Sequence, residues 1–565
     1  MLKKYSIFVT VLILSNVYFL IAAADSIQQK PQESVKVIKV NGSAGITSDY
    51  IVTTNSQSLD SNRQQFGPRT SFRGNFNLNI NLFDQVQLPF ELWYTTSQIG
   101  FQQPFNQFGV NPKIGNWLTL HAGYFYARVS DLSFGDARMM GGGFELTPGN
   151  FVFSALYGRI RAKRDADSSV HFPGEYKRMA LALKIGYGKE GDIFANLNLT
   201  KGWDDTTTHF TQDNSPTPNE NFVSSFAFGA PITQLFRLSG EAAISCFTNN
   251  IFDEEIKNTG LPLFVKDIFT PRYSSQFDAA FKGAISFTPH RNFSLRLNAL
   301  WVGPGFQTVG YPQMPNDVFD VTIAPSFRLL EGLLTVKGSI GFRKNNLRNN
   351  HLASTERIIG SVDIFGQISQ EFSVSAQYSN YGMKTAMNKD TMHVQNIAQT
   401  ISLSPNLNFQ WIGATNVVSL SYSYQDVSDR SSYDTISRNN STNTLNLSYS
   451  LLFESSLNLT TGIFYNNNKS DYSSAVFSFN ETAGYSFFEK KLTTSITLGL
   501  CAISAVKNDL QVNARATISY SLDKFGTFTI NLSNMNYMAG PASGYYQGVP
   551  SYNEFQGSLQ YGISF

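Results

Sequence analysis

Eight basic side chains offer the clearest chemistry in this sequence, because each stands in a segment that alternates polar with apolar residues. Successive side chains of a β-strand point to opposite faces, so the alternation places all eight on one polar face of a predicted sheet. They are Arg73, Arg178, Lys184, Arg237, Lys282, Arg296, Lys337 and Arg343. The acidic residues of that face are Glu145, Glu241, Asp278, Asp320 and Asp363. Two interpretations stay open: a basic strip that attracts anionic solutes, or a solvated wall of salt bridges.

The charged residues of this face are unevenly distributed along the chain. From about residue 370 onward the same face carries mostly Ser, Thr, Asn and Gln. The N-terminal two-thirds of the predicted wall therefore holds most of the charge. We interpret this asymmetry as a mark of where a plug or a partner protein sits.

No pattern typical of an enzyme or a metal site accompanies the basic residues. The six histidines are His121, His171, His209, His290, His351 and His393, and they are scattered without metal-ligand spacing. The sequence contains neither a G-x-S-x-G motif nor a P-loop. The sequence therefore predicts no enzyme, no metal and no cofactor.

Alternating segments recur from about residue 35 to the C-terminus, and they predict an all-β fold. Short turns alternate along the chain with longer polar loops. Ser404-Pro405-Asn406 is one of the predicted turns, and 303–316 is one of the loops. The alternation is blurred at 98–137 and 385–412. The count is about 26 strands, an even number typical of a transmembrane antiparallel up-and-down β-barrel with short periplasmic turns and longer surface loops.

The last fifteen residues form an amphipathic segment that ends on an aromatic side chain. Its apolar positions include Tyr561, Ile563 and Phe565. The segment resembles the final strand of bacterial outer-membrane barrels, and this resemblance implies that the three residues are an assembly signal for the barrel-assembly machinery. Outer-membrane lipid is the partner that the apolar face predicts.

The predicted domains are a cleaved signal peptide at 1–24, a short periplasmic tail at 25–34 and one barrel at 35–565, without a separate plug domain. Lys3 and Lys4 precede an apolar run that closes on Ala22-Ala23-Ala24, a pattern typical of export. Charged residues make up only 15% of the chain and the net charge is +2, which disfavours a nucleic-acid partner.

A barrel of about 26 strands has a diameter of roughly 50 Å, so its lumen needs filling by loops, by an oval shape or by a partner. The longest loop, 248–275, carries Asp253, Glu254 and Glu255 as a candidate constriction. Gly141-Gly142-Gly143 lies inside a predicted strand and indicates a bend or a tight contact. The two cysteines, Cys246 and Cys501, fall on opposite faces, which predicts free thiols.

Two stretches, 104–124 and 140–159, resemble a family of outer-membrane proteins of Bacteroidota-type bacteria. The resemblance implies that the two stretches form neighbouring barrel strands in the outer membrane. It implies no catalytic residues.

Together these patterns predict an outer-membrane channel or transport protein with a polar, partly basic lumen narrowed by loops. The alternative is a non-conducting barrel that serves as a component or scaffold of a surface export or assembly complex, with a lumen-filling or periplasmic partner protein. An outer-membrane hydrolase is the least favoured alternative.

Overall fold

The computed structural model describes residues 38–54, 70–96, 107–126, 128–135, 137–166, 172–207, 216–256, 268–387, 393–431, 439–471, 473–505, 507–541 and 551–565. Residues 1–37 lie outside this set, so the signal peptide, the tail and the lack of a plug domain stay predictions. Among the described residues, no helix is long and apolar enough to cross a membrane.

The described strands form one closed antiparallel barrel in which each strand pairs with its neighbours along the chain. The strands are β1 (Ile38–Thr54), β2 (Thr70–Leu82), β3 (Val86–Thr95), β4 (Gln107–Val110), β5 (Lys113–Ile114), β6 (Leu118–Tyr126), β7 (Arg138–Leu146), β8 (Phe151–Arg161), β9 (Arg178–Gly188), β10 (Phe194–Asp204), β11 (Glu220–Pro231), β12 (Phe236–Thr248), β13 (Ser275–His290), β14 (Phe293–Val302), β15 (Val318–Leu329), β16 (Leu334–Asn345), β17 (Ala353–Gln367), β18 (Phe372–Met387), β19 (His393–Trp411), β20 (Ala414–Asp429), β21 (Asn440–Phe453), β22 (Leu457–Lys469), β23 (Ser474–Phe487), β24 (Leu492–Ser504), β25 (Asn508–Ser521), β26 (Thr527–Met538) and β27 (Tyr552–Ser564).

The segments β4 and β5 occupy a single position in the wall, because both pair with β3 on one side and with β6 on the other. Asn111 and Pro112 separate them, and a proline cannot donate to a ladder. The wall therefore has 26 strand positions, which confirms the predicted fold class. The interruption also explains why the alternation is blurred in this part of the sequence.

The C-terminal strand closes the barrel against the first strand. Ile563 lies opposite Ala44, and the register continues along both strands. At the end of the ladder the Phe565 N–H donates to the Gly42 carbonyl at 3.0 Å, and the Gly42 N–H donates to the Phe565 carbonyl at 2.8 Å. Tyr561 donates from its hydroxyl to the Phe525 carbonyl at 2.7 Å. The role of these residues as an assembly signal stays a prediction.

The two faces of the wall differ as the alternation predicts. In β9, Ile185 and Tyr187 point outward and are half exposed, whereas Ala180 and Ala182 point inward and are fully buried. Cys246 faces outward on β12, and Cys501 faces inward on β24, so both thiols are free. An apolar outer face and a polar inner face are the arrangement that a lipid-embedded barrel requires.

One predicted turn is wrong. Ser404-Pro405-Asn406 lies inside β19, and the turn to β20 falls at Ile412 and Gly413, both with positive φ. Pro405 fits within the strand because the β19–β20 register has no pairing at Ser404 and Pro405. The strand count is unaffected, since only the position of the turn changes.

The glycine run in β7 makes the tight contact that its sequence indicates. A Cβ added at Gly141 would lie 2.0 Å from the Tyr157 carbonyl oxygen and 2.5 Å from the Gly158 Cα on β8. Both atoms belong to the backbone, so the two strands would have to move apart.

We predict that Gly141→Ala lowers the free energy of unfolding by about 1–3 kcal/mol, because the added methyl group overpacks the β7–β8 ladder. Urea titration of the barrel in detergent measures the change. Gly360→Ala is the matched control, because a Cβ there meets only one atom, the Ser339 carbonyl oxygen at 3.9 Å. Equal stability of the two variants would contradict the prediction.

Candidate functional site

The connection between β6 and β7 folds into the barrel and lies against its inner face. We call it the plug loop; the structure describes its residues 128–135 and 137. Leu132, Ser133 and Phe134 are fully buried. A surface loop would expose such side chains, so the plug loop is part of the barrel interior.

Apolar packing fixes the plug loop over the inner wall from β7 to β15. Phe134 shares a buried cluster with Met139, Leu156, Ala180 and Ala182. Leu132 shares a second cluster with Val223, Ala243, Ala280, Val302, Phe306 and Val318. Most of these wall residues are small, which leaves room for the two large side chains of the loop. Burial of each contributes roughly 1.5–3 kcal/mol.

Two charged residues of the wall bind the tip of the plug loop, and we call this set of contacts the latch. Glu241 on β12 and Lys282 on β13 lie directly opposite each other in register. The buried Glu241 carboxylate accepts the backbone N–H of Asp131 at 3.1 Å and that of Leu132 at 3.3 Å. Lys282 Nζ lies 2.5 Å from Asp131 Oδ2. The plug loop therefore supplies a partner for each charge of the pair: backbone N–H groups for Glu241 and a carboxylate for Lys282.

Lys282 of the latch and Arg128 of the plug loop itself stabilise the ionised form of Asp131. Burial raises the pKa of this carboxyl, but the hydrogen bonds and positive charges of Lys282 and Arg128 outweigh burial and hold the pKa below its ordinary value. The hydrogen bond to Asp131 in turn raises the pKa of Arg128. Attachment of the loop is thus linked to the charge of Asp131.

Polar contacts continue beneath the loop. Ser130 Oγ lies 2.6 Å from Ser133 Oγ and 3.2 Å from Ser225 Oγ on the wall, and Asn198 donates to Ser225 Oγ at 3.1 Å. Within the described part of the chain, three buried oxygens of β10 have no hydrogen-bond partner: Asn196 Oδ1, Asn198 Oδ1 and Thr200 Oγ1. Such oxygens are usual partners of buried water. The interface between loop and wall is therefore partly polar.

A second connection, residues 303–317 between β14 and β15, holds the plug loop from another side, and we call it the brace loop. Thr308 donates from Oγ1 to the Ser133 carbonyl. Asn221 on β11 donates to the Gln307 carbonyl at 3.0 Å and so ties the brace loop to the wall. The two loops thus form one layer inside the barrel.

Four of the eight predicted basic residues line one cavity of about 380 Å³ next to the plug loop. They are Lys184, Arg237, Lys282 and Arg296, and Arg128 of the plug loop joins them. The acidic residues of the lining are Asp131, Glu190 and Glu241. We call this cavity the basic pocket. Among the residues the structure describes, no group of His, Cys, Asp and Glu could hold a metal ion.

The other four predicted basic residues lie elsewhere on the inner face, each beside a carboxylate. Arg73 Nη2 is 2.7 Å from Asp49 Oδ2, Arg178 Nε is 2.7 Å from Asp204 Oδ1, Arg343 Nη2 is 2.6 Å from Asp320 Oδ2, and Lys337 lies opposite Asp363 in register. Of the remaining predicted acidic residues, Glu145 is 3.3 Å from His121 Nε2 and Asp278 is 2.8 Å from Arg348 Nη2. The eight basic residues therefore do not form one continuous site.

The candidate constriction Asp253, Glu254 and Glu255 contacts its own loop. Arg272 donates to the Asp253 carbonyl at 2.8 Å and to Glu255 Oε1 at 3.2 Å. Phe269 shares a buried cluster with the outward-facing Cys246. Residues 257–267 lie outside the described residues, so a constriction by this loop stays a prediction.

The alternation of the sequence does not predict the plug loop or the brace loop as inward-folded segments. A signal for the plug loop is present in its composition. Leu132 and Phe134 are large apolar residues within a connection, and a connection exposed to water seldom needs them. The brace loop carries Phe306 and Val309, both buried, in the same way.

No family model matches this chain, and no curated protein matches it. Solved structures resemble it weakly. The P pilus usher (PapC) translocation pore is 11% identical with a TM-score of 0.38, covering 93% of this chain and 100% of that chain. The FrpB iron transporter from Neisseria meningitidis (F5-1 variant) is 11% identical with a TM-score of 0.39, covering 93% and 82%. The outer membrane protein opdK from Pseudomonas aeruginosa is 9% identical with a TM-score of 0.27, covering 67% and 100%.

The two stretches that carry the Bacteroidota-type resemblance do lie in neighbouring strands. Residues 107–124 of the first stretch contribute to β4, β5 and β6, and the second stretch forms much of β7 and β8. These strands pair in that order. Membership of that family stays a prediction.

We predict that acid loosens the plug loop. The docked loop holds the pKa of Asp131 below its ordinary value, so release of the loop takes up a proton as the pH falls. Stabilisation by the latch is complete above about pH 4, the ordinary value for Asp, and is lost as the pH falls through the lowered pKa. The charged groups around Asp131 are Arg128, Lys282, Glu241 and Glu190.

Hydrogen exchange of the plug loop between pH 3 and pH 6, corrected for the intrinsic rate, measures this change. Asp131→Asn should exchange at an elevated rate with little dependence on pH. An unchanged pH dependence in that variant would contradict the prediction.

Proposed function

We propose that this protein is an outer-membrane β-barrel that passes solutes through a lumen narrowed by its plug and brace loops. A closed barrel leaves no unpaired strand edge, which is the condition for a sheet to cross a bilayer. The outward aromatic and aliphatic side chains supply the lipid-facing surface. Outer-membrane lipid and the barrel-assembly machinery are the partners that such a barrel requires.

The width of the barrel makes the loops important. With 26 strand positions the diameter is roughly 50 Å, and an open pore of that size would pass solutes without discrimination. The loops pack on the inner wall from β7 to β15. Nine of the thirteen charged residues predicted on the inner face lie in these strands. Solutes would then pass beside a charged, loop-covered surface.

The observation that carries this proposal is the latch. Glu241 and Lys282 hold the tip of the plug loop through hydrogen bonds and one ion pair, so the attachment is non-covalent and reversible. We infer that docking of the loop sets the free cross-section of the lumen. The proposal gives the protein a transport role and no catalytic one.

A second candidate function is a non-conducting scaffold of an export or assembly complex. One observation favours it: within the described part of the chain, the two buried clusters that include plug-loop residues contain no residue of the wall strands from β16 to β27. A partner protein would have space against that half of the inner face. Co-purification of a stoichiometric subunit after mild detergent extraction, together with absence of conductance, would support this candidate over the channel.

We predict that Glu241→Gln combined with Lys282→Met raises single-channel conductance in planar bilayers severalfold, because the plug loop loses its charged attachments. The matched control is Asp363→Asn with Lys337→Met, a pair that also lies directly opposite on the inner face. Among the described residues, no hydrogen bond or ion pair joins this pair to the plug loop. A silent wild-type barrel would contradict the channel, and equal conductance of both double variants would contradict narrowing by the loop.

A disulfide between the plug loop and the wall should reverse the increase in conductance. Ser130→Cys with Ser225→Cys replaces two hydroxyls that are 3.2 Å apart and joins the loop to the wall. The pair is introduced into the Glu241→Gln, Lys282→Met variant, with both native cysteines changed to serine. We predict that oxidation of the two new cysteines restores the lower conductance. Thr482→Cys with Thr497→Cys joins two wall strands whose hydroxyls are 2.9 Å apart and serves as the control.

A further inference from the structure

The basic pocket has more positive than negative charge after its internal contacts are taken into account. Asp131 is paired with Arg128 and Lys282, and the Glu241 carboxylate is bound by backbone N–H groups. Among the described residues, Lys184, Arg237 and Arg296 have no carboxylate within 4 Å, although each lines the same cavity. No ion pair therefore neutralises these three cations, and the five basic and three acidic residues of the lining sum to a net charge of +2.

The register brings two of these cations around one point. Arg237 on β12 and Arg296 on β14 both lie beside Ser286 of the intervening β13. Their backbones are thus two strand spacings apart, about 10 Å, a distance that two long guanidinium side chains can bridge through one small ligand. Lys184 reaches the cavity from β9 on the other side.

Each guanidinium retains donors for a ligand. Arg237 donates one N–H to the Asp192 carbonyl at 3.5 Å, and Arg296 donates one to Asn298 Oδ1 at 2.9 Å. A guanidinium has five N–H donors in a planar fork, which matches the paired oxygens of a carboxylate or a phosphate. Inner-face neighbours such as Asn196 and Ser239 add neutral polar groups to the lining.

We propose that the basic pocket binds small oxyanions with two negative charges, of the phosphate or dicarboxylate kind. The five cations and three carboxylates of the lining give a net charge of +2, which suits such a ligand better than a single halide charge. The cavity of about 380 Å³ has room for a ligand of this kind. Glu190 and the two carboxylates of the latch disfavour larger polyanions. Anion binding at this pocket does not depend on transport. That permeating solutes bind there on their way through the lumen rests on the proposed channel.

Calorimetric titration of the full-length barrel in detergent with inorganic phosphate, and separately with succinate, tests the proposal. We expect binding of at least one, at a stoichiometry of one. Arg237→Gln with Arg296→Gln should weaken it about tenfold or more, since each loses a charge-assisted hydrogen bond. Arg357→Gln with Arg515→Gln is the control, because both arginines lie on the inner face outside the pocket.

The same protein in planar bilayers separates this proposal from the channel. If the bound anion blocks chloride current, and only the Arg237→Gln, Arg296→Gln variant loses this block, both the anion site and the channel are supported. Binding by a barrel that carries no current supports the site and contradicts the channel. Current without binding or block of either anion contradicts the site, and so does equal loss in the control variant. The heat-modifiable gel shift checks that each variant is folded, and the stronger of the two anions identifies the ligand class.

Discussion

The structure depends on one constraint, which is that every strand must find a hydrogen-bonding partner on both of its edges. An up-and-down sheet meets this condition only when its last strand returns to its first. Here β27 pairs with β1 from Ser43 to Thr54, and the backbone bonds between Gly42 and Phe565 complete the ladder. Closure then defines an inside and an outside. The alternation of polar and apolar residues is the chemical consequence of that division.

Closure of so many strands creates the problem that the inner loops address. A wide lumen offers a large polar surface, and loops can bind to it only through groups that the wall supplies. The pair of Glu241 and Lys282 provides one anchor of each sign, and the small residues of β9, β12 and β13 provide space for Leu132 and Phe134. The brace loop adds one hydrogen bond, from Thr308 to the Ser133 carbonyl. Apolar burial supplies affinity, while the charged pair fixes the position of the loop tip.

The two interpretations of the basic residues each describe a different part of the wall. Arg73, Arg178 and Arg343 form close ion pairs and match a solvated, salt-bridged wall. Lys184 and Arg237 line the basic pocket, have no carboxylate within 4 Å among the described residues, and match an anion-attracting surface. The position of a basic residue around the barrel decides whether it forms an ion pair or lines the basic pocket. A list of basic residues on one face does not contain that position.

The sequence by itself determined the class of fold, the strand count and the face of each of the eight basic residues, because a period of two is written locally and repeats in every strand. It did not determine the turn after β19, since Pro405 is compatible with a strand where the ladder lacks a pairing. Only the tertiary structure decided that the plug loop folds inward and that Asp131 meets Lys282, 151 residues away. Contacts between a connection and a distant strand depend on closure of the whole wall, and no local pattern encodes them.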